Sequence, residues 1–175
     1  MKTQSLHKSF VKLSFTLVLI FLANFSIYAQ NEPKDELLLI LGEMKNEFSS
    51  LTGAIETKDT VEHYTNYTPL NKLSSSESVI TEIFEEASSR KALVYFYNYE
   101  NTDALIASVK YLTPLLDIVN ARIQLGMYKG RDYTNESGRS VTEVTDLEGN
   151  YLIDIVSNAE WGLKFVFYSK NWGKN

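Results

Sequence analysis

Apolar residues follow three spacings along this chain, and each spacing predicts its own kind of segment. The first is a dense run from Leu13 to Leu22 that lies behind Lys2, Lys8 and Lys12 and gives way at Tyr28, Ala29 and Gln30. A basic head, an apolar core and then a small residue predict an export signal cleaved after Ala29. Ser14, Thr16, Asn24 and Ser26 interrupt the 17 residues from Leu13 to Ala29, which stand at the short edge of a bilayer span. A retained anchor is therefore the alternative.

Steps of three and four come next. Leu37, Ile40, Leu41, Met44, Phe48 and Leu51 fall on one stripe of a helix predicted from Pro33 to Leu51, which Gly53 can close. Ser74, Ser75, Ser76 and Glu77 form a capping-box pattern. A second helix is expected behind it, burying Val79, Ile80, Ile83, Phe84 and Ala87 and turning Glu82, Glu85 and Glu86 to water. Leu105, Ile106, Val109, Leu112, Leu116, Val119 and Ile123 keep helical spacing across Pro114. This predicts one long helix from Thr102 to about Gln124, kinked at the proline, with two shorter helices as the alternative.

Alternation marks the rest. Val61 to Thr68, rich in Thr, Val and Tyr, reads as a strand. Ala92 to Tyr99 is a second, with Val94 and Phe96 on one face and Tyr95, Tyr97 and Tyr99 on the other. Lys129 to Arg139 is polar and reads as a loop. Val141 to Asp146 and Tyr151 to Val156 flank Leu147, Glu148, Gly149 and Asn150 as a hairpin, and Trp161 to Ser169 is a last strand. This order predicts an α+β domain: a mostly antiparallel sheet of about five strands, about three helices packed on one face, and a C-terminal three-strand meander. One such domain is expected over residues 31–170, after a signal at 1–29 and before a polar tail at 171–175.

Composition narrows the function classes. Removing residues 1–29 from the 175 leaves 146, enough to bury roughly two thirds of the unfolded surface without staples. Three of 17 basic residues leave with the signal and none of 22 acids do, so 14 stand against 22, a charge of −8. Such a surface repels nucleic acid and anionic membranes, and no basic run exceeds Arg90 and Lys91. Nucleic-acid binding is excluded on that ground, and no stable membrane insertion is expected once the signal is cut. The absence of cysteine excludes disulfide frameworks, thiolate zinc sites, cysteine nucleophiles and a cysteine-borne lipid.

Chemistry-bearing motifs are sparse. His63 is the single histidine beyond the signal and lies near Glu56, Asp59 and Glu62; strand alternation would group it with Asp59 and Tyr67. A surface histidine outweighs a catalytic one there, and the chain has no G-x-S-x-G elbow and no phosphate-binding glycine motif. No metal site and no cofactor are expected. Glu82, Glu85 and Glu86 read as the wet side of a helix, and Asp146 and Glu148 as turn chemistry. Asp154 stands apart: it interrupts the run Tyr151, Leu152, Ile153, Ile155, Val156 and should share a face with Leu152 and Val156 unless a bulge intervenes.

The compositional signal above background is tyrosine. Ten of the 11 tyrosines follow the signal, with Trp161 and Trp172. Tyr95, Tyr97 and Tyr99 on one strand face, with Tyr67, form the candidate ligand-binding set, because stacked rings and phenol hydroxyls can hold a sugar, lipid or peptide. Packing beneath a helix is the competing role for the same residues.

The segment Tyr28, Ala29, Gln30, Asn31 resembles the signal ends of exported proteins from Bacteroidota. Phe48 to Gly53, Tyr64 to Leu70 and the segment from Ser74 are similar to stretches of small exported proteins of unknown function from that group. Asp59, Thr60, Val61 resembles the triplet those bacteria O-glycosylate. Together these observations lead to the expectation of a periplasmic or secreted, non-enzymatic binding module with a protein, peptide or saccharide ligand. A small hydrolase using paired carboxylates or His63 is the alternative.

Overall fold

Two strands with aromatic residues at alternate positions meet at the centre of the molecule. Leu93, Tyr95 and Tyr97 of one strand stand opposite Phe167, Phe165 and Leu163 of the other, and all six side chains are buried. The computed structural model describes residues 32–85, 88–158, 162–170 and 172. The predicted signal, Glu86, Ala87, Trp161 and most of the predicted tail lie outside them.

In chain order the elements are α1 (Glu32–Glu43), a 3-10 turn (Met44–Asn46), β1 (Thr52–Asp59), β2 (Tyr64–Pro69), β3 (Glu77–Glu85), β4 (Ser88–Asn98), α2 (Thr102–Gln124), β5 (Tyr128–Thr134), β6 (Ser140–Asp146), β7 (Tyr151–Asn158) and β8 (Gly162–Tyr168). The strands form one eight-stranded sheet in the order β1-β2-β3-β4-β8-β7-β6-β5, antiparallel throughout. Two four-strand meanders are thus joined side by side. α2 carries the chain from β4 in the middle to β5 at the far edge, and the second meander returns to seat β8 against β4.

The expected architecture of about five strands and about three helices is therefore corrected to eight strands and two helices among the described residues. The largest change falls on residues 77–85. Val79, Ile80, Thr81 and Ile83 are β-branched and favour a pleated surface, and β4 offers a partner for nine consecutive pairs from Glu77↔Phe96 to Glu85↔Ser88. That pairing overrides the capping-box signal. Ser75 takes a left-handed φ of 57°, and the Ser76 hydroxyl donates to Leu73 O at 2.7 Å, closing a turn instead of a helix.

Two edge strands carry the other corrections. The strand expected at 61–68 starts at Tyr64 as β2, behind a turn at residues 60–63, and pairs with the unexpected edge strand β1 as a hairpin. Asp59 Oδ1 accepts from the amides of Val61 and Glu62 at 2.8 and 2.9 Å to shape its turn. Residues 129–139, read as a loop, contain all but the first residue of β5, which pairs with β6 over seven residues. Both β1 and β5 are wet on both faces, so neither leaves an apolar period to detect.

At the N-terminal end the six stripe residues Leu37, Ile40, Leu41, Met44, Phe48 and Leu51 are all buried, although the helix carries only the first three of them. It ends at Glu43, the 3-10 turn follows, and Glu47 and Phe48 both take φ 54°, reversing the chain so that Phe48 and Leu51 still reach the core. α2 is one continuous helix with Pro114 inside it. Asn101 Oδ1 caps its start by accepting from the amides of Asp103 and Ala104. By length and composition α2 is apolar enough to cross a membrane, but in this fold Ala104, Ala107, Tyr111, Leu115, Ile118 and Val119 are buried. Both helices contribute to one core with the Leu93, Tyr95 and Tyr97 side of the sheet.

Gly162 sits where β8 begins against β4. Its φ is 141°, and a Cβ there would lie 2.0 Å from Tyr97 O. Gly162→Ala is expected to lower stability by about 2 kcal/mol or more, measured by urea unfolding. Two buried phenols make a contrasting pair. Tyr111 Oη donates to Glu36 Oε2 at 2.6 Å and accepts from the Ser74 amide at 3.3 Å. Tyr97 Oη is buried without a hydrogen-bond partner; Ser76, beside it, gives its hydroxyl to Leu73 O. Tyr111→Phe is expected to cost about 1–2 kcal/mol, and Tyr97→Phe to be neutral or stabilising, by the same measurement.

Candidate functional site

The tyrosines singled out from sequence do not share a surface. Tyr95 and Tyr97 are 0% exposed. Their rings meet Phe167 and Phe165 edge-on at 6.1 and 5.6 Å, and Tyr97 stacks on Tyr111 of α2 at 6.3 Å. Burial pushes both phenols up, and Tyr95 Oη donates to Asn71 O at 3.1 Å. These two belong to the core, where no ligand reaches them. Tyr99 is half-buried against that core, with its phenol pushed up by burial. Tyr67 is on β2, on the helix side, where its hydroxyl donates to Glu82 Oε2 at 2.6 Å.

Glu82, expected in water, is 8% exposed. Besides Tyr67 it faces Lys91 Nζ at 3.8 Å, and Lys91 lies 5.6 Å from the Tyr67 ring centroid. The bond to Glu82 and then burial push the Tyr67 phenol up to about 12. This closed set of charges holds β2, β3 and β4 together. His63 projects from the exposed β1–β2 turn with φ 56°, and Thr60 and Val61 of the Asp-Thr-Val triplet are exposed beside it. The Glu62 and Val61 amides hold the Asp59 carboxyl below its usual range, with His63 adding a smaller pull.

The opposite face of the sheet carries a different set. Among the described residues no helix packs on it. Register places Arg131 of β5 opposite Glu143 of β6, Glu143 opposite Asp154 of β7, and Asp154 opposite Val166 of β8. Aromatic side chains border this row. Tyr133 and Tyr151 are each 39% exposed. Tyr168 lies 5.9 Å from Tyr151 and 4.9 Å from Trp172. Arg131 lies over Tyr133 at 4.8 Å, and Arg90 over Trp172 at 5.7 Å. Trp172, counted in the predicted polar tail, is thus held on the sheet.

Asp154 is the centre of this set. A register shift between Val144 and Thr145 makes Leu152 the extra residue of a bulge, and Leu152 packs on the core instead of sharing Asp154's face. Tyr168 Oη donates to Asp154 Oδ2 at 2.6 Å, while Oδ1 is buried without a partner. Arg131 is committed to Glu143 at 3.0 Å, with 66% of its own side chain exposed. Burial, reinforced by Glu143, raises the Asp154 carboxyl above its usual range despite the pull of Tyr168 and Lys164. Burial and Asp154 push the Tyr168 phenol up in turn.

Elsewhere on the face a shallow open depression of about 220 Å³ is lined by Glu77, Ser78, Val79, Val94 and Phe96, and it offers few polar groups. Among the described residues no three His, Asp or Glu side chains converge to hold a metal ion. Sequence reasoning singled out Asp154 by its break in the apolar run. It missed Tyr133, Tyr151, Tyr168, Trp172, Arg131 and Glu143 as a group, because only strand register brings them together. Compared with known proteins, the chain matches no family model, no curated protein and no solved structure.

A carboxyl whose folded pKa lies above its unfolded value binds its proton more tightly when folded. Asp154 therefore withholds stability at neutral pH, and that cost is relieved as pH falls through the raised folded value toward about 3.9. Asp154→Asn is expected to be more stable at pH 7 by about 0.5 kcal/mol, kept small by solvent screening. The advantage should shrink toward zero on the acid side in urea melts taken across pH.

Proposed function

We propose that this chain is an exported, non-enzymatic binding module that works in the periplasm or outside the cell, with the helix-free face of its sheet as the binding surface. The order of Lys2, Lys8 and Lys12, the apolar run and Ala29 supports export. The observation that carries the binding role is the set around Asp154: partly wet Tyr133 and Tyr151 rings beside an acid that keeps one oxygen without a donor. Isolated surface aromatics are common, but exposed rings grouped with convergent polar side chains mark recognition surfaces. The ligand classes open to such a surface are protein, peptide and saccharide.

The geometry does not favour the hydrolase alternative. Asp154 and Glu143 project side by side from neighbouring strands, whereas glycoside hydrolysis needs its two acids across the scissile bond. His63 lies on a separate exposed turn. In cell fractionation the protein is expected in the periplasm or medium, with Gln30 at its N-terminus by mass spectrometry. Ligand capture from the native envelope and medium by the mature protein should disappear in the Tyr133→Ser/Tyr151→Ser variant. Capture undiminished by those changes would move the binding surface elsewhere.

A further inference from the structure

We propose that the ligand of the Asp154 surface is a neutral saccharide, an inference that rests on reading this face as the binding surface. Four features of the site select that class over its competitors. The backbone of Asp154 at the centre of the site is paired on both sides, with Glu143 of β6 and Val166 of β8, so an extended peptide laid over it finds no main-chain hydrogen bonds to make. Recognition must come from side chains.

Charge removes two further classes. An anionic ligand would meet Asp154 and Glu143 on an acidic chain whose formal charge is −5 even with the signal included. A cationic ligand would compete for rings already faced by the protein's own cations, Arg131 over Tyr133 and Arg90 over Trp172. A neutral ligand is opposed by neither.

What the surface offers matches a pyranose ring. Tyr151 presents aromatic surface to water, suited to the apolar C–H face of a sugar, and the exposed part of Tyr133 flanks it. Arg131 is 66% exposed and provides a planar fork of donors. Asp154 Oδ1 is a buried acceptor without a donor, and a rotation of the carboxyl on ligand entry would bring it to a sugar hydroxyl or a bridging water. A ligand that carries apolar faces, donors and acceptors on one rigid ring uses all three.

The test is an array of neutral oligosaccharides probed with the mature protein, followed by calorimetric titration and backbone amide NMR with the strongest binder. The expected result is binding with shift changes centred on Arg131, Tyr133, Tyr151 and Asp154. Tyr151→Ala should weaken affinity at least tenfold, while Tyr64→Ala, on the far hairpin, should leave it unchanged. Binding undiminished in Tyr151→Ala overturns the assignment, as does an array with no neutral binder. If no sugar binds but a protein is captured and lost in Tyr133→Ser/Tyr151→Ser, the saccharide assignment falls while the binding surface stands. If sugar binding maps to another face, both fall.

Discussion

The rest of the fold depends on the pairing of β4 with β8. β4 ends the first meander and β8 ends the second, so this seam closes between residues roughly seventy positions apart and must form for eight strands to make one sheet. Its strength is in the side chains. Leu93, Tyr95 and Tyr97 interlock with Phe167, Phe165 and Leu163, and each aromatic pair adds about 0.5–1.5 kcal/mol beyond the area it buries. The backbone approaches closely at one end, where Gly162 leaves room for Tyr97 O.

The seam also divides the sheet's two faces between different tasks. Odd-numbered positions of β4 and β8 face α1 and α2 and make the core, which the covering layer keeps dry. Even-numbered positions face the other way. There Val94 and Val166 sit beside the polar and aromatic row built from β5, β6 and β7. Which face a side chain reaches is thus decided by its parity in the strand. Tyr95 and Tyr97 lie under the helices, and Tyr168 on the helix-free face, within the same pair of strands.

Much of the fold was legible from local pattern. The long helix from Thr102 to Gln124, the strand through Tyr95, the hairpin across Gly149 and the last strand each have a period that matches the observed element. The elements that differed lacked such a period or carried an ambiguous one. β1 and β5 are edge strands wet on both faces, which erases alternation. Residues 77–85 hold apolar residues at spacings that fit helix and strand alike, and nine pairs with β4 decide between them. The site was less legible. Asp154 was visible as a polar break in an apolar run, but its neighbours Arg131, Glu143, Tyr168 and Trp172 are spread over more than forty residues of chain.

Sequence by itself determined which segments carry an apolar period, how acidic the chain is, and that it holds no cysteine and no phosphate-binding glycine motif. These are properties of composition and short-range spacing, and they hold in any fold the chain adopts. Only the tertiary structure decided that residues 77–85 extend, that Tyr95 and Tyr97 face inward, and that Asp154 lies among aromatic rings with one oxygen unpaired. Each of those outcomes depends on strand register. Register is set by partners far away in sequence, and shifting it by one residue exchanges the two faces of a strand.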